Sequence, residues 1–113
     1  MNARVALLMA AAALIPCARS FSAEPSGTLQ GAAVFEKWCA PCHAAGPSHP
    51  GTTALAALYK GSKPAALEER KDLTPAVVKQ FVRKGVSVMP FFRKTEISDA
   101  ELDALAAYLS RKR

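Results

Sequence analysis

Cys39-Ala40-Pro41-Cys42-His43 is the densest run of chemically capable side chains in this chain of 113 residues. Cysteines three apart lie on one side of a helical turn, and a histidine follows directly. Two thiols at that spacing can add to the two vinyl groups along one edge of a haem. The resulting thioethers hold the next imidazole close to the iron, and C-x-x-C-H is the attachment signature of c-type haem. Rival chemistries account for less. A thioredoxin-like C-x-x-C follows a strand in a βαβ setting, and no strand pattern precedes Cys39. Zinc takes four ligands; Cys39, Cys42, His43 and His49 supply that number, but crowded into eleven residues. A plain disulfide leaves His43 without a role.

The second axial ligand of such an iron is argued by elimination. Of three methionines, Met1 and Met9 sit in an apolar N-terminal run, which leaves Met89, 46 residues after His43. Pro90 fixes φ and removes a backbone donor, so Val88-Met89-Pro90 favours an extended segment that can lay a thioether over a haem. His49 is the competing ligand. It stands only six residues from His43 and would have to loop around the haem edge to the opposite face. The expected site is therefore Cys39, Cys42, His43 and Met89 around one covalent haem c, with His43 and Met89 on the iron. A thioether in place of a second imidazole favours Fe(II) and raises the potential. With both axial positions filled, outer-sphere electron transfer follows rather than activation of a small molecule. A carbonyl from Pro47 or Pro50, with Pro50 preferred, is expected to accept from His43 Nδ1.

The elements that must position these residues read as helices punctuated by Gly and Pro, with no alternating strands. Leu29, Ala32, Ala33, Phe35 and Trp38 form a helical face leading into Cys39. Residues 44–53 read as a Gly/Pro/Ser-rich loop, and 54–60 as a short helix stopped by Gly61. The polar stretch from Gly61 to Asp72 has room for one helical turn after Pro64. Thr74 caps the next helix, Pro75 takes its first position, Leu73 staples to Val78 and Gly85 ends it. Ser98-Asp99-Ala100-Glu101 is a capping box, with Ile97 and Leu102 as its staple. Leu102, Leu105, Ala106 and Leu109 then share one face. Gly31, Phe35 and Tyr108 suit a helix–helix crossing. Trp38 suits packing at the haem edge better than an electron relay. Phe91 and Phe92 suit either haem packing or an exposed docking patch. The expected fold is all-α, about four short helices wrapped around one haem.

Composition sets the context. Met1–Ala23 has 17 hydrophobic residues of 23, against 40 of 90 afterwards. Arg4 precedes an unbroken apolar run of 11 residues, Val5 to Ile15, and small residues follow. This is the pattern of a secretory signal peptide, cleaved after Ser22 or Ala23, and is too short for a bilayer span of roughly 20 residues. A buried N-terminal helix is the alternative. A lipoprotein box at Leu14-Ile15-Pro16-Cys17 is a further one, weakened by Pro16. Residues 24–113 then form one domain. They carry 13 basic and 9 acidic residues, and three of the basic ones are the terminal Arg111-Lys112-Arg113. The body is nearly neutral, with no basic stripe interleaved with aromatics, so nucleic-acid binding is not expected. Fifteen of the 40 apolar residues are alanine. So thin a core calls for a supplement, and a haem plate supplies one.

Gly31-x-x-x-Phe35, Cys39-x-x-Cys42-His43, Met89-Pro90 and Leu105-x-x-Tyr108-Leu109 resemble class I cytochromes c over Leu29 to Leu109. Three longer strings narrow the resemblance: His49-Pro50-Gly51-Thr52, Pro64-Ala65-Ala66-Leu67-Glu68-Glu69-Arg70, and the run from Val86 to Ser98. They are similar to the cytochrome subunit of the 4-cresol dehydrogenase (p-cresol methylhydroxylase) and eugenol hydroxylase flavocytochromes. That resemblance implies a periplasmic electron-transfer subunit, not an enzyme by itself, docked on a flavoprotein that oxidises a 4-alkylphenol. It implies Cys39, Cys42, His43 and Met89 as the haem-binding residues. The downstream acceptor would be another cytochrome or a copper protein, without stable membrane insertion. Two other readings stay open: a free periplasmic cytochrome shuttling to an oxidase or peroxidase, and a haem-based sensor or gas-binding module.

Overall fold

The computed structural model describes residues 24–111. The apolar N-terminal run, Cys17, both cleavage points and the last two basic residues lie outside the described residues. The expected all-α architecture is present. Helix α1 spans Glu24–Trp38, α2 Ala40–His43, α3 Pro50–Tyr59, α4 Pro75–Lys84 and α5 Asp99–Ser110, with a 3₁₀ turn at Leu67–Glu69 after Pro64. Among the described residues that is five α-helices where about four were expected. The extra one is α2, a single turn that carries the C-x-x-C-H residues.

The helix ends obey local chemistry. The Thr74 hydroxyl accepts from the Val77 N–H, Pro75 opens α4 and Gly85 closes it at φ 66°. Ser98 and Glu101 form a reciprocal capping box, while Ile97 and Leu102 beside it are both buried. Helix α3 departs from expectation. It begins at Pro50, so residues 50–53 are helical rather than loop. Proline is suited to a first helical position, where its missing N–H costs nothing. The hydroxyls of Thr52 and Thr53 then tie the new helix back to the carbonyls of Ala44, Pro47 and His49.

The core is the crossing of α1 and α5, with α4 packed on α5. Phe35, Ile97 and Leu105 are its largest fully buried side chains. The buried face of α1 is Gly31, Val34 and Phe35, with Trp38 half-buried; Leu29 and Ala33, expected on that face, are exposed. Each of those two stands two residues from Gly31, on the far side of the helix once Gly31 meets α5, so the inward direction of α1 is set by the crossing. Gly31 is the seat of that crossing. A Cβ at residue 31 would collide with the Ala104 carbonyl oxygen and stand 2.6 Å from Tyr108 Cβ. Alongside it the rings of Phe35 and Tyr108 lie 6.0 Å apart. Gly31→Ala is therefore expected to destabilise the protein by about 1–3 kcal/mol through overpacking, read as a lower midpoint in thermal or denaturant unfolding. An unchanged midpoint would mean that the helices slide apart at no cost.

Candidate functional site

The turn that carries Cys39, Cys42 and His43 grows directly out of α1. Cys39 N–H donates to the Phe35 carbonyl (2.8 Å), and His43 N–H to the Cys39 carbonyl (2.8 Å). The buried Phe35 thus anchors the backbone that presents both thiols. Cys39 is half-buried, Cys42 is exposed, and the two are not bonded to each other. Burial, with a smaller contribution from Cys42, pushes the Cys39 thiol up to about 12. Burial lowers the His43 pKa, which favours the neutral imidazole that can ligate a metal.

Met89 reaches the same region by a different route. Beyond Gly85, residues Val86 and Met89 exchange backbone hydrogen bonds (3.1 and 2.9 Å) across a tight turn with Ser87 at φ 52°. The turn folds back on Gly85, where a Cβ would stand 2.6 Å from the Met89 carbonyl oxygen and 2.9 Å from the Phe91 nitrogen. It is pinned to α4 twice more, because Phe92 N–H donates to the Val82 carbonyl and Arg83 donates to the Phe92 carbonyl. Met89 is held half-buried, while its neighbour Val88 is 95% exposed.

Between α2, α3, α4 and this turn lies an apolar crevice in two lobes of about 250 and 340 Å³. Cys39, His43, Leu55 and Met89 line both lobes. Leu58, Leu67, Leu73, Val77, Phe81 and Leu109 add to the lining of one lobe, and Trp38, Cys42, Ala54 and Phe92 to that of the other. The two lobes together fall in the range of cofactor sites, roughly 300–1,000 Å³. A flat apolar macrocycle fits such a crevice. The residues present also match it chemically: two thiols on one edge, an imidazole and a thioether on the walls. His49 lines neither lobe; its Nδ1–H donates to the Pro41 carbonyl at 3.2 Å. Among the described residues no three His, Cys, Asp or Glu side chains gather in a way that could hold a metal ion.

Three details of the site differ from expectation or were not foreseen. His43 Nδ1 is buried and makes no hydrogen bond, so neither the Pro50 nor the Pro47 carbonyl serves as its acceptor. The phenylalanine pair divides its roles: Phe92 packs edge-on against Trp38 inside the crevice (centroids 5.8 Å apart), while Phe91 points out and is 60% exposed. Finally, Arg70 is the one charged side chain among the crevice-lining residues. It donates to the Tyr59 hydroxyl at 2.7 Å and clasps Asp72 through Nε and Nη2, both at 2.6 Å. The Arg70 guanidinium holds the Asp72 carboxyl well below the usual carboxylate range.

A family model described as cytochrome C oxidase, cbb3-type, subunit III matches residues 27–109. No curated protein and no solved structure matches the chain. No helix among the described residues is long and apolar enough to cross a membrane.

Proposed function

The chain belongs to the family described as cytochrome C oxidase, cbb3-type, subunit III, and from that premise we propose that this class I c-type cytochrome is the electron-accepting subunit of an exported flavocytochrome. As a cytochrome c domain it is an electron-transfer module built on one haem c. The finer assignments are these. Cys39 and Cys42 tether the haem through thioethers, and His43 and Met89 ligate its iron. Bound there, the haem supplies one-electron chemistry. Met89 sulfur favours the reduced state, while Leu55, Leu58, Phe81 and Leu109 exclude water from the macrocycle. Met1–Ala23 directs export, and the mature chain works in the periplasm.

The observation that carries this reading is the convergence of Cys39, His43 and Met89 on both lobes of one apolar crevice. Partner choice rests on the resemblance of three sequence strings to the 4-cresol dehydrogenase and eugenol hydroxylase cytochromes. The Met89 turn suits that partnership physically. It points Met89 inward while Val86, Val88 and Phe91 stay exposed. The body is nearly neutral, so long-range steering is weak, and docking rests on local apolar contact. Phe91 is the proposed anchor; Phe92, committed to Trp38, is not. A flavoprotein that oxidises a 4-alkylphenol delivers electrons one at a time, and another cytochrome or a copper protein takes them onward.

Purification from the native periplasm tests the partnership, with flavin expected to travel with haem; haem protein free of flavin at every step would overturn it. Within the recovered complex, Phe91→Ala is expected to weaken docking by about 1–2 kcal/mol, on the order of tenfold. Haem reduction by the flavoprotein should slow in stopped flow while the haem spectrum stays intact. Normal binding and normal reduction in this variant would remove the turn from the interface.

A further inference from the structure

A thioether favours Fe(II), so its bond to ferric iron is the looser one. The stiffness of the segment that carries the sulfur then decides how often it lets go. Past Met89 the chain runs through Pro90, which has no N–H to give. Two residues further on, Phe92 is fastened on both sides of its backbone. Its N–H donates to the Val82 carbonyl (2.8 Å), and its carbonyl accepts from Arg83 Nη1 (3.0 Å). Two adjacent residues of α4 thus grip the segment that leaves the turn.

The same guanidinium reaches further. Arg83 Nη2 donates to Oδ1 of Asp99, the first residue of α5, at 2.9 Å. Asp99 also pairs with Lys94 at 2.7 Å, so residues 92, 94 and 99 are joined through one guanidinium and one carboxylate. The planar fork of arginine fixes its two donors relative to each other, which ties the Phe92 carbonyl to both α4 and α5. The Arg83 side chain is 23% exposed and that of Asp99 62%. Exposed ion pairs contribute little, whereas a bond from a shielded charged donor to a carbonyl is among the stronger kind. The ion pair aims the fork, and the carbonyl bond holds the turn. We infer that Arg83 is the positioning residue for the Met89 ligand: its forked grip on the Phe92 carbonyl and Asp99 keeps the turn closed and the sulfur on the iron. The inference rests on the reading of Met89 as an iron ligand.

Imidazole added to the ferric holoprotein at neutral pH tests it. At saturating imidazole the rate of ligand exchange becomes the rate at which sulfur leaves. Arg83→Leu deletes both bonds and is expected to raise that limiting rate about tenfold, the loss of one charge-assisted hydrogen bond. On warming, the methionine–iron charge-transfer band should fade further below the loss of helical circular dichroism than in the parent. Lys79→Leu is the control, because Lys79 joins the same two helices through Asp103 rather than through Phe92. A parental limiting rate in Arg83→Leu, or an equal rise in Lys79→Leu, would overturn the proposal. So would a band and a helical signal displaced equally on warming. If Arg83→Leu does not load haem, Arg83→Gln decides, since one amide cannot span both acceptors: a faster limiting rate supports the forked grip, and a parental rate overturns it. Met89→Ala separates the two layers of argument, because a charge-transfer band persisting in that variant would sink the ligand assignment itself.

Discussion

Met89→Ala is expected to abolish the weak charge-transfer band that marks methionine sulfur on ferric haem and to open the iron to added ligands. Met89 is the sole methionine beyond the apolar N-terminal run, and it lines both lobes of the crevice. The turn that presents it is fixed by backbone bonds, namely the reciprocal pair between Val86 and Met89 and the Phe92 bond to Val82. Truncating the side chain leaves those intact, so the loss should be confined to the ligand. Carbon monoxide should then bind the reduced variant readily while the parent resists it. Met89→His should restore six-coordination at a lower potential, because a second imidazole gives up the preference of the thioether for Fe(II). A charge-transfer band that survived Met89→Ala would show that another residue ligates the iron.

The second large effect is expected at the thiols. Cys39→Ala and Cys42→Ala should each leave at best one thioether and a poorly assembled protein, and the double variant no covalent haem at all. Mass spectrometry of the protein produced with the haem-attachment machinery reports this directly, and acid–acetone extraction that freed haem from the parent would refute covalent attachment. Much of the penalty is a folding penalty. Leu55, Leu58, Leu67, Leu73, Val77 and Phe81 all line the crevice, and Leu58, Val77 and Phe81 are exposed. Covering each large apolar side chain contributes about 1.5–3 kcal/mol. Total stabilities are only about 5–15 kcal/mol, so a chain that cannot retain its haem should unfold at far lower denaturant.

Local chemistry made much of this fold legible in sequence. Thr74, Pro75 and Gly85 bound α4, and Ser98 with Glu101 opens α5, because capping depends on adjacent residues alone. Gly31 with Tyr108 was legible because a small residue opposite an aromatic is the signature of close helix approach. The unread parts depend on distant contacts. The start of α3 looked like loop because Pro50 and Gly51 are turn formers by composition; proline at a first helical position is a role only the assembled structure assigns. Leu29 and Ala33 face outward because each stands two residues from Gly31, on the opposite side of a helix whose inward direction is set by the crossing with α5. Arg70 sits in a charged stretch that reads as solvated surface, and its place in the crevice wall comes from Tyr59, eleven residues earlier. The candidate haem residues needed none of this context to be named, since their types and spacing mark them.

The crossing of α1 and α5 joins the beginning of the domain to its end. In outline the protein is one long loop with a clasp: Gly31 and Phe35 against Ala104 and Tyr108 fasten it, and all that lines the crevice except Leu105 and Leu109 of the clasp itself hangs between. The Tyr108 hydroxyl also donates to Glu68, midway along the loop, and the Arg111 guanidinium lies over the Tyr108 ring, 3.7 Å from its centroid. Clasp and loop therefore fail differently. Damage in the Met89 turn releases one side of the crevice and leaves the other standing. Damage at the clasp loosens both sides together, so a single lesion there should degrade attachment geometry, potential and stability in step.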